Sequence, residues 1–299
     1  MQSSTSNNKI NEFKPKIAIL LAAYNGINWI EEQITSIFNQ EGVNIKIFIS
    51  VDFSTDGTYE LCKCFEKKNK SIVVLPYGNK FGNAAKNFFR LIRDVDIKEY
   101  NYVAFSDQDD IWNKNKIYRA VSKMEKYKYD AFSSDFIAFW KDGKEKYIKK
   151  SWPQKKYDFL FESAGPGCTY VFKSLALRKF KSFLLSNWLL VNEVALHDWM
   201  IYAYFRNHKF NWNIDNIPLV KYRQHSDNEF GSNTDFKAYV KRIFLIKNNW
   251  YKAEVEKIKK LLQPDLSINF IFRIKNFWHL RRQPIDVLIL LIMSILLLY

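Results

Sequence analysis

In the stretch SDQDDIWNKNK three carboxylates, Asp107, Asp109 and Asp110, fall directly after the apolar run YVAFS, Tyr102–Ser106. Asp107 and Asp109, in D-x-D spacing at a strand end, can turn both side chains toward one point, with Gln108 between them. Carboxylates so placed repel one another unless a cation sits between them, and Mg²⁺ or Mn²⁺ uses one or two carboxylates together with the phosphates of a ligand. Asp107 and Asp109 are therefore read as metal ligands, the plainer alternative being a solvated acidic turn. Asp52 ends another apolar run, IKIFISV, where its carboxylate can accept from a nucleobase N–H or a ribose hydroxyl. Its alternative role is to cap the helix that starts near Thr55, a position that Ser54 or Asp56 can also fill.

These residues need a scaffold that gathers them. KIAILLA, from Lys16, ends in the turn-like YNG, and Ile30, Ile34, Ile37 and Phe38 follow at helical spacing. IKIFISV is then followed by the turn DFSTDGT and the helical ELCKCFEKK; SIVVLP by NAAKNFFRLIRDV; and YVAFS leads into the acidic cluster. Strands alternating with helices predict an α/β domain with a mostly parallel central sheet flanked by helices. Open sheets of this kind bind ligands outside the carboxyl ends of their strands, which would bring Tyr24, Asn25, Asp52, Asp107 and Asp109 to one edge. After about Asp135 the pattern loosens, with a Gly-rich turn at GPGCTYVFK and a helix expected around VNEVALHDWMIYAYF.

The chain of 299 residues is 47% hydrophobic and can bury a sizeable core, and its 46 Lys and Arg against 31 acidic residues give a formal charge of +15. That charge suits nucleic acid, an anionic membrane surface or a phosphorylated ligand without separating them. Cys62, Cys64 and Cys168 are too few for a disulfide framework and are read as packing residues, in keeping with a reducing compartment. Residues 1–15 read as a disordered lead-in without a secretory signal. The apolar tail VLILLIMSILLLY is short of the roughly 20 residues that span a bilayer. Together with the basic, aromatic FIFRIKNFWHLRR before it, this tail reads as a membrane-seated segment with Arg281 and Arg282 toward anionic headgroups, a core helix being the alternative.

AAYNG, VDFSTDGT, NKFGNAAKNF and SDQDDIWNKNK, in this order and spacing, resemble the family 2 glycosyltransferases, and GPGCTYVF, HDWM and YRQHSDNEFG resemble their bacterial rhamnosyltransferase branch. The resemblance runs over about Lys16 to Gly231 and departs from the common Asp-Asp-Gly at Val51-Asp52-Phe53. It implies an A-type glycosyltransferase fold over the catalytic domain, residues 16–233, with 16–135 as the nucleotide-sugar half and 136–233 as the acceptor-side half, while residues 234–299 are read from their aromatic, basic and apolar runs as a helical membrane-associating appendage. It implies that Ala23, Tyr24, Asn25, Asp52, Lys80, Asp107 and Gln108 surround the donor nucleotide, that His225 joins Asp109 and Asp107 on Mg²⁺ or Mn²⁺, and that Asp198 is the base. Arg223 can meet the diphosphate, His197 an ion or phosphate, and Trp112 and Trp199 can stack on a sugar face, although core packing explains the tryptophans equally well.

The resemblance thus implies inverting transfer of L-rhamnose from dTDP-L-rhamnose to a lipid-linked or polysaccharide glycan of a bacterial surface polymer, O-antigen or capsule, at the cytoplasmic face of the inner membrane. Donors such as UDP-galactose or UDP-glucose are the enzymatic alternative. A sugar-phosphate nucleotidyltransferase would want a Gly-rich, basic phosphate loop, and LLAAYNGINW has one glycine and no Lys or Arg. A non-catalytic binder of nucleic acid or anionic lipid leaves Asp52, Asp107, Asp109 and Asp198 unexplained, so nucleic acid is not expected as a partner.

Overall fold

The computed structural model of the protein describes residues 14–225 and 249–296. The first part alternates β1 (Lys16–Ala23), α1 (Ile30–Phe38), β2 (Asn44–Val51), α2 (Thr58–Lys68), β3 (Ile72–Val74), α3 (Ala84–Asp94) and β4 (Tyr102–Ser106). There follow β5 (Ile111–Trp112), α4 (Lys116–Tyr127), β6 (Ala131–Ser134), β7 (Phe136–Trp140), β8 (Glu145–Ile148), β9 (Val171–Lys173) and α5 (Ser174–Ser186). The chain continues through α6 (Trp188–Val191), α7 (His197–Asn207), β10 (Trp212–Asp215) and β11 (Val220–Gln224), and then α8 (Trp250–Leu262), α9 (Phe270–Asn276) and α10 (Pro284–Ile295).

The main sheet has the order β10-β6-β9-β4-β1-β2-β3, and β1 runs parallel to both β2 and β4. Because the chain steps outward from β1 to β3 and then returns to its other side as β4, the strand order reverses beside β1. The carboxyl ends of β1, β2 and β4 therefore flank a crevice, the place where open α/β sheets bind ligands. Only β9 breaks the parallel pattern among these strands, lying antiparallel between β4 and β6.

Alternation along β1 fixes the two faces. Ala18, Leu20 and Ala22 pack with Phe88, Phe89 and Leu91 of α3 on one side, and Ile17, Ile19 and Leu21 pack with Ile30, Ile34 and Ile37 of α1 on the other. A second sheet, β5-β11-β7-β8, pairs β11 antiparallel to β5, Val220 opposite Trp112. Since β5 begins one residue after Asp110, this pairing carries the end of β11 back beside the acidic turn.

The C-terminal helices pack on the α3 face, where Val255, Ile258, Leu280 and Leu290 join the same core cluster as the main sheet. The expected placement of Arg281 and Arg282 toward lipid headgroups does not hold. Arg282 is 3% exposed; its guanidinium lies 3.5 Å from Asp158 and 3.4 Å from Glu162 and donates to the Ser163 carbonyl at 2.6 Å. Arg281 donates to the Phe161 carbonyl at 2.8 Å and to Asp286 at 3.2 Å. A basic pair beside an apolar run reads the same in sequence whether its counter-charges are lipid phosphates or buried carboxylates. Among the described residues no helix is long and apolar enough to cross a membrane. Cys62 and Cys168 are buried as expected, but Cys64 is exposed and is not a packing residue.

Candidate active site

A cleft of about 930 Å³ opens at the carboxyl ends of β1, β2 and β4. It is lined by Ala23, Tyr24, Asn25, Asp52 and Lys80, by Asp107, Gln108, Asp109 and His225, and by His197 and Asp198. The sheet topology thus gathers eleven of the fourteen residues singled out from the sequence around one space.

Around Asn25 and Asp52 the cleft wall is held by side chains that bridge loops. Asn25 sits at φ 44°, a left-handed conformation that Asn tolerates, and its side-chain oxygen accepts from the Thr55 amide at 3.0 Å, while its own amide donates to Ser54 Oγ at 3.1 Å. Asp52 is 4% exposed and does not cap α2; its carboxylate accepts from the amides of Phe53 (2.7 Å), Phe81 (2.7 Å) and Gly82 (2.8 Å). That leaves Asp52 as the clamp of the 80–83 loop, with its remaining lone pairs toward the cleft it lines. Thr58 at the start of α2 is met instead by Asp56, whose Oδ1 accepts from its amide at 3.0 Å. Gln108 forms a pair of bonds with the Tyr24 backbone, donating to its carbonyl and accepting from its amide, both at 2.7 Å. A Cβ on Gly26 would overlap the Gln108 amide, so this turn needs glycine for close approach.

Asp109 Oδ2 lies 2.8 Å from His225 Nε2, and the His225 ring stacks on Trp29 at 4.2 Å. Arg223 does not line the cleft, contrary to its expected place at the diphosphate. Its Nε donates to the Asp109 carbonyl at 2.8 Å, its amide to Asp110 at 3.2 Å, and its guanidinium pairs with Glu32 at 2.5 Å, so it fixes the acidic turn from behind.

Beneath the turn lie Asp110, Cys168 and Lys116. Asp107, Asp110 and Cys168 place possible ligand atoms within 4.8 Å of one another. Burial, aided by Asp109 and Asp107, pushes the Asp110 carboxyl well above its usual range, and burial likewise pushes the Cys168 thiol up. A hard cation such as Mg²⁺ or Mn²⁺ is fitted better by Asp107, Asp109 and His225, which face the cleft with oxygen and imidazole donors. Lys116, fully buried, donates to the Cys168 carbonyl at 2.7 Å with its ammonium over the Trp112 ring, and burial brings its pKa down to about 7.

Helix α7 begins at His197, later than the expected helix, because residues 192–196 form a turn along the cleft. Asp198 stands in the first turn of α7 and is not its N-cap, which is Leu196. Its Oδ1 accepts from the Trp199 amide at 2.6 Å. The helix is held from beneath: Trp199 Nε1 donates to the Phe159 carbonyl at 2.9 Å, and Tyr202 and Arg206 both reach the buried Asp158. Trp112 and Trp199, each 3% exposed, belong to the core and do not stack on a sugar.

The sequence reading missed Trp29 and the Pro166–Gly167 edge, both of which line the cleft. In sequence GPG reads as a turn and as part of the family resemblance, without a place at the site, and Trp29 is not singled out. Ser226–Gly231, the rest of the YRQHSDNEFG motif, residues 1–13, the boundary at 233/234 and residues 297–299 lie outside the described residues.

Residues 18–184 match glycosyl transferase family 2. The dTDP-rhamnosyl transferase RfbG of Shigella flexneri is 43% identical over 286 residues, which cover 92% of this chain and 99% of that protein. Among solved structures, S. aureus TarS 1–349 in complex with UDP-GlcNAc superposes with a TM-score of 0.54 at 14% identity, over 93% of this chain and 79% of that one. The mannosyltransferase PcManGT from Pyrobaculum calidifontis, in complex with GDP-Man and Mn²⁺, gives a TM-score of 0.54 at 13% identity, over 95% and 75%. At these identities the two structures share a fold with this chain and nothing finer. The family match over more than half of the chain, together with a relative 43% identical along nearly its whole length, shows that the chain belongs to glycosyl transferase family 2.

Proposed function

We propose that the protein transfers L-rhamnose from dTDP-L-rhamnose, with inversion at the anomeric carbon, to a hydroxyl of a lipid-linked or polysaccharide glycan in bacterial surface-polymer biosynthesis. The observation that carries this reading is the convergence of Asp52, Asp107, Asp109, His225 and Asp198 on one cleft. The similarity to the Shigella flexneri dTDP-rhamnosyl transferase supports the donor.

The residues divide the work along the cleft. The Tyr24–Asn25 turn and the Asp52-clamped loop hold the nucleoside, with Lys80 also on the lining and available to an anionic group. Asp107, Asp109 and His225 would hold Mg²⁺ or Mn²⁺, which when bound offsets the charge of the departing diphosphate. Asp198 accepts the proton of the acceptor hydroxyl as that oxygen bonds to C1 of rhamnose. The bond from C1 to the β-phosphate oxygen breaks on the opposite face, and its electron pair leaves with dTDP. Trp199 and Asp158, by fixing α7, keep the Asp198 carboxylate on the attacking side.

The test is a donor screen with the purified chain. With Mn²⁺ present, dTDP-L-rhamnose should be turned over, releasing dTDP, at least tenfold faster than UDP-galactose or UDP-glucose. Preference for a UDP-sugar would overturn the donor assignment.

We also place the enzyme at the cytoplasmic face of the inner membrane, seated on anionic lipid by its C-terminal helices. What supports this is one face of α10: Ile285, Leu288, Ile289 and Ile292 are 42–55% exposed, while Val287 and Leu290 on the other face are buried. Trp278 adds an exposed aromatic ring, an anchor suited to the headgroup region. Flotation with anionic vesicles should recover the native chain but not an Ile289→Glu/Ile292→Glu variant, and equal recovery of the two would exclude this face.

A further inference from the structure

The first residue of α7 presents a feature that neither proton transfer nor metal binding uses. His197 is 8% exposed, lines the cleft beside Asp198, and stacks on the buried Phe88 of α3 at 4.0 Å and 17°. Its Nε2 is buried and has no hydrogen-bond partner among the described residues. Gly167, on the facing cleft edge, approaches so closely that a Cβ there would overlap Nε2. A buried polar nitrogen without a partner is rare in a folded core, and where it borders a binding cleft a ligand can supply the partner.

The chemistry of that partner is restricted. Burial pushes the His197 pKa down to about 3, so the imidazole is neutral at any working pH and has no charge to offer a phosphate. Neutral imidazole carries one donor and one acceptor nitrogen, and a sugar hydroxyl can serve either. His197 also lies beside Asp198, the proposed base, on the lining of the cleft, where the transferred sugar and the acceptor sugar must meet. We propose that His197 is a specificity-determining residue whose Nε2 hydrogen-bonds one hydroxyl of a sugar beside Asp198, with Gly167 keeping that edge narrow enough to seat the ring. This rests on the rhamnosyl-transfer reading above and goes beyond it by naming what recognises the sugar.

The test uses the full chain with Mn²⁺ and dTDP-L-rhamnose or its 2-, 3- and 4-deoxy analogues, measuring both hydrolysis of the donor by water and transfer to the glycan acceptor. His197→Phe keeps the ring stacked on Phe88 and removes the nitrogen; His197→Gln returns a polar group. Wild type should turn over one deoxy donor at least tenfold more slowly than the parent, and His197→Phe should lose that discrimination, with His197→Gln between. If donor hydrolysis is unaffected by His197→Phe and transfer alone falls at least tenfold, the hydroxyl is on the acceptor sugar. Should His197→Phe not fold, Gly167→Ala, which displaces the imidazole, should reduce the same discrimination. Activity within threefold of wild type for the folded variants on every substrate overturns the inference alone. Absence of any wild-type turnover of dTDP-L-rhamnose overturns the functional reading instead.

Discussion

Asp109 and His225, 116 positions apart in the chain, meet at 2.8 Å because β11 returns antiparallel to the short strand that follows the D-x-D turn. Two ligand atoms brought together from distant parts of the chain suit a divalent ion better than a solvated turn does. We expect Asp109→Ala to abolish Mn²⁺-dependent binding of dTDP, and His225→Ala to weaken Mn²⁺ affinity about 10- to 100-fold. Calorimetry with dTDP, with and without Mn²⁺, measures both, and unchanged metal-dependent affinity in Asp109→Ala would remove it from the metal site.

Gln108 sits between the two aspartates yet spends both ends of its amide on the Tyr24 backbone. Gln108→Ala should therefore loosen the nucleotide end, raising KM for the donor more than it lowers kcat. It should also cost about 1–2 kcal/mol of stability, the net worth of two such bonds. Steady-state kinetics beside a urea unfolding curve check both, and a fall confined to kcat would contradict the positioning role.

Arg282 tests whether the C-terminal helices are part of the folded core. Its removal takes one of two guanidinium partners from the buried Asp158, leaving Arg206, and one from Glu162, leaving Arg281, so Arg282→Ala should destabilise the protein by about 1–3 kcal/mol in detergent-free buffer. If Arg282 served only lipid headgroups, the melting temperature without membranes would not move.

Much of the scaffold was legible because it rests on periodicity. The alternation of β1 and the helical spacing of Ile30, Ile34 and Ile37 state directly which faces are buried. The site was legible where motif spacing coincided with strand ends, as at Asp52 and Asp107–Asp109. What could not be read depends on partners distant in sequence. Trp112 and Trp199 have the same composition whether they face a sugar or a core, and only the packing of Lys116 over one and the Phe159 carbonyl bonded to the other decides it. Arg223 was misplaced for the same reason, since its bond to the Asp109 carbonyl exists only once β11 pairs with β5.

Acid stability should carry a signature of His197. Its pKa in the folded protein, about 3, lies below the usual value of 6.5, so between these limits the unfolded chain binds more protons than the folded one. Stability therefore rises with pH across this window and is lost on acidification through it, by up to roughly 1.4 kcal/mol per pH unit for this group. His197→Phe should flatten the pH dependence of unfolding between pH 6 and about 4; an unchanged slope would mean that the imidazole is not held neutral.

The central claim is that Asp198 takes the acceptor proton, and Asp198→Asn addresses it most directly. The substitution keeps size and the acceptor for the Trp199 amide but removes the basic oxygen. Transfer from dTDP-L-rhamnose should fall by roughly 10²- to 10⁴-fold while donor affinity, read in the same sample, stays within about threefold. Near-normal turnover in the folded Asp198→Asn variant would contradict the account and leave the transfer without its base.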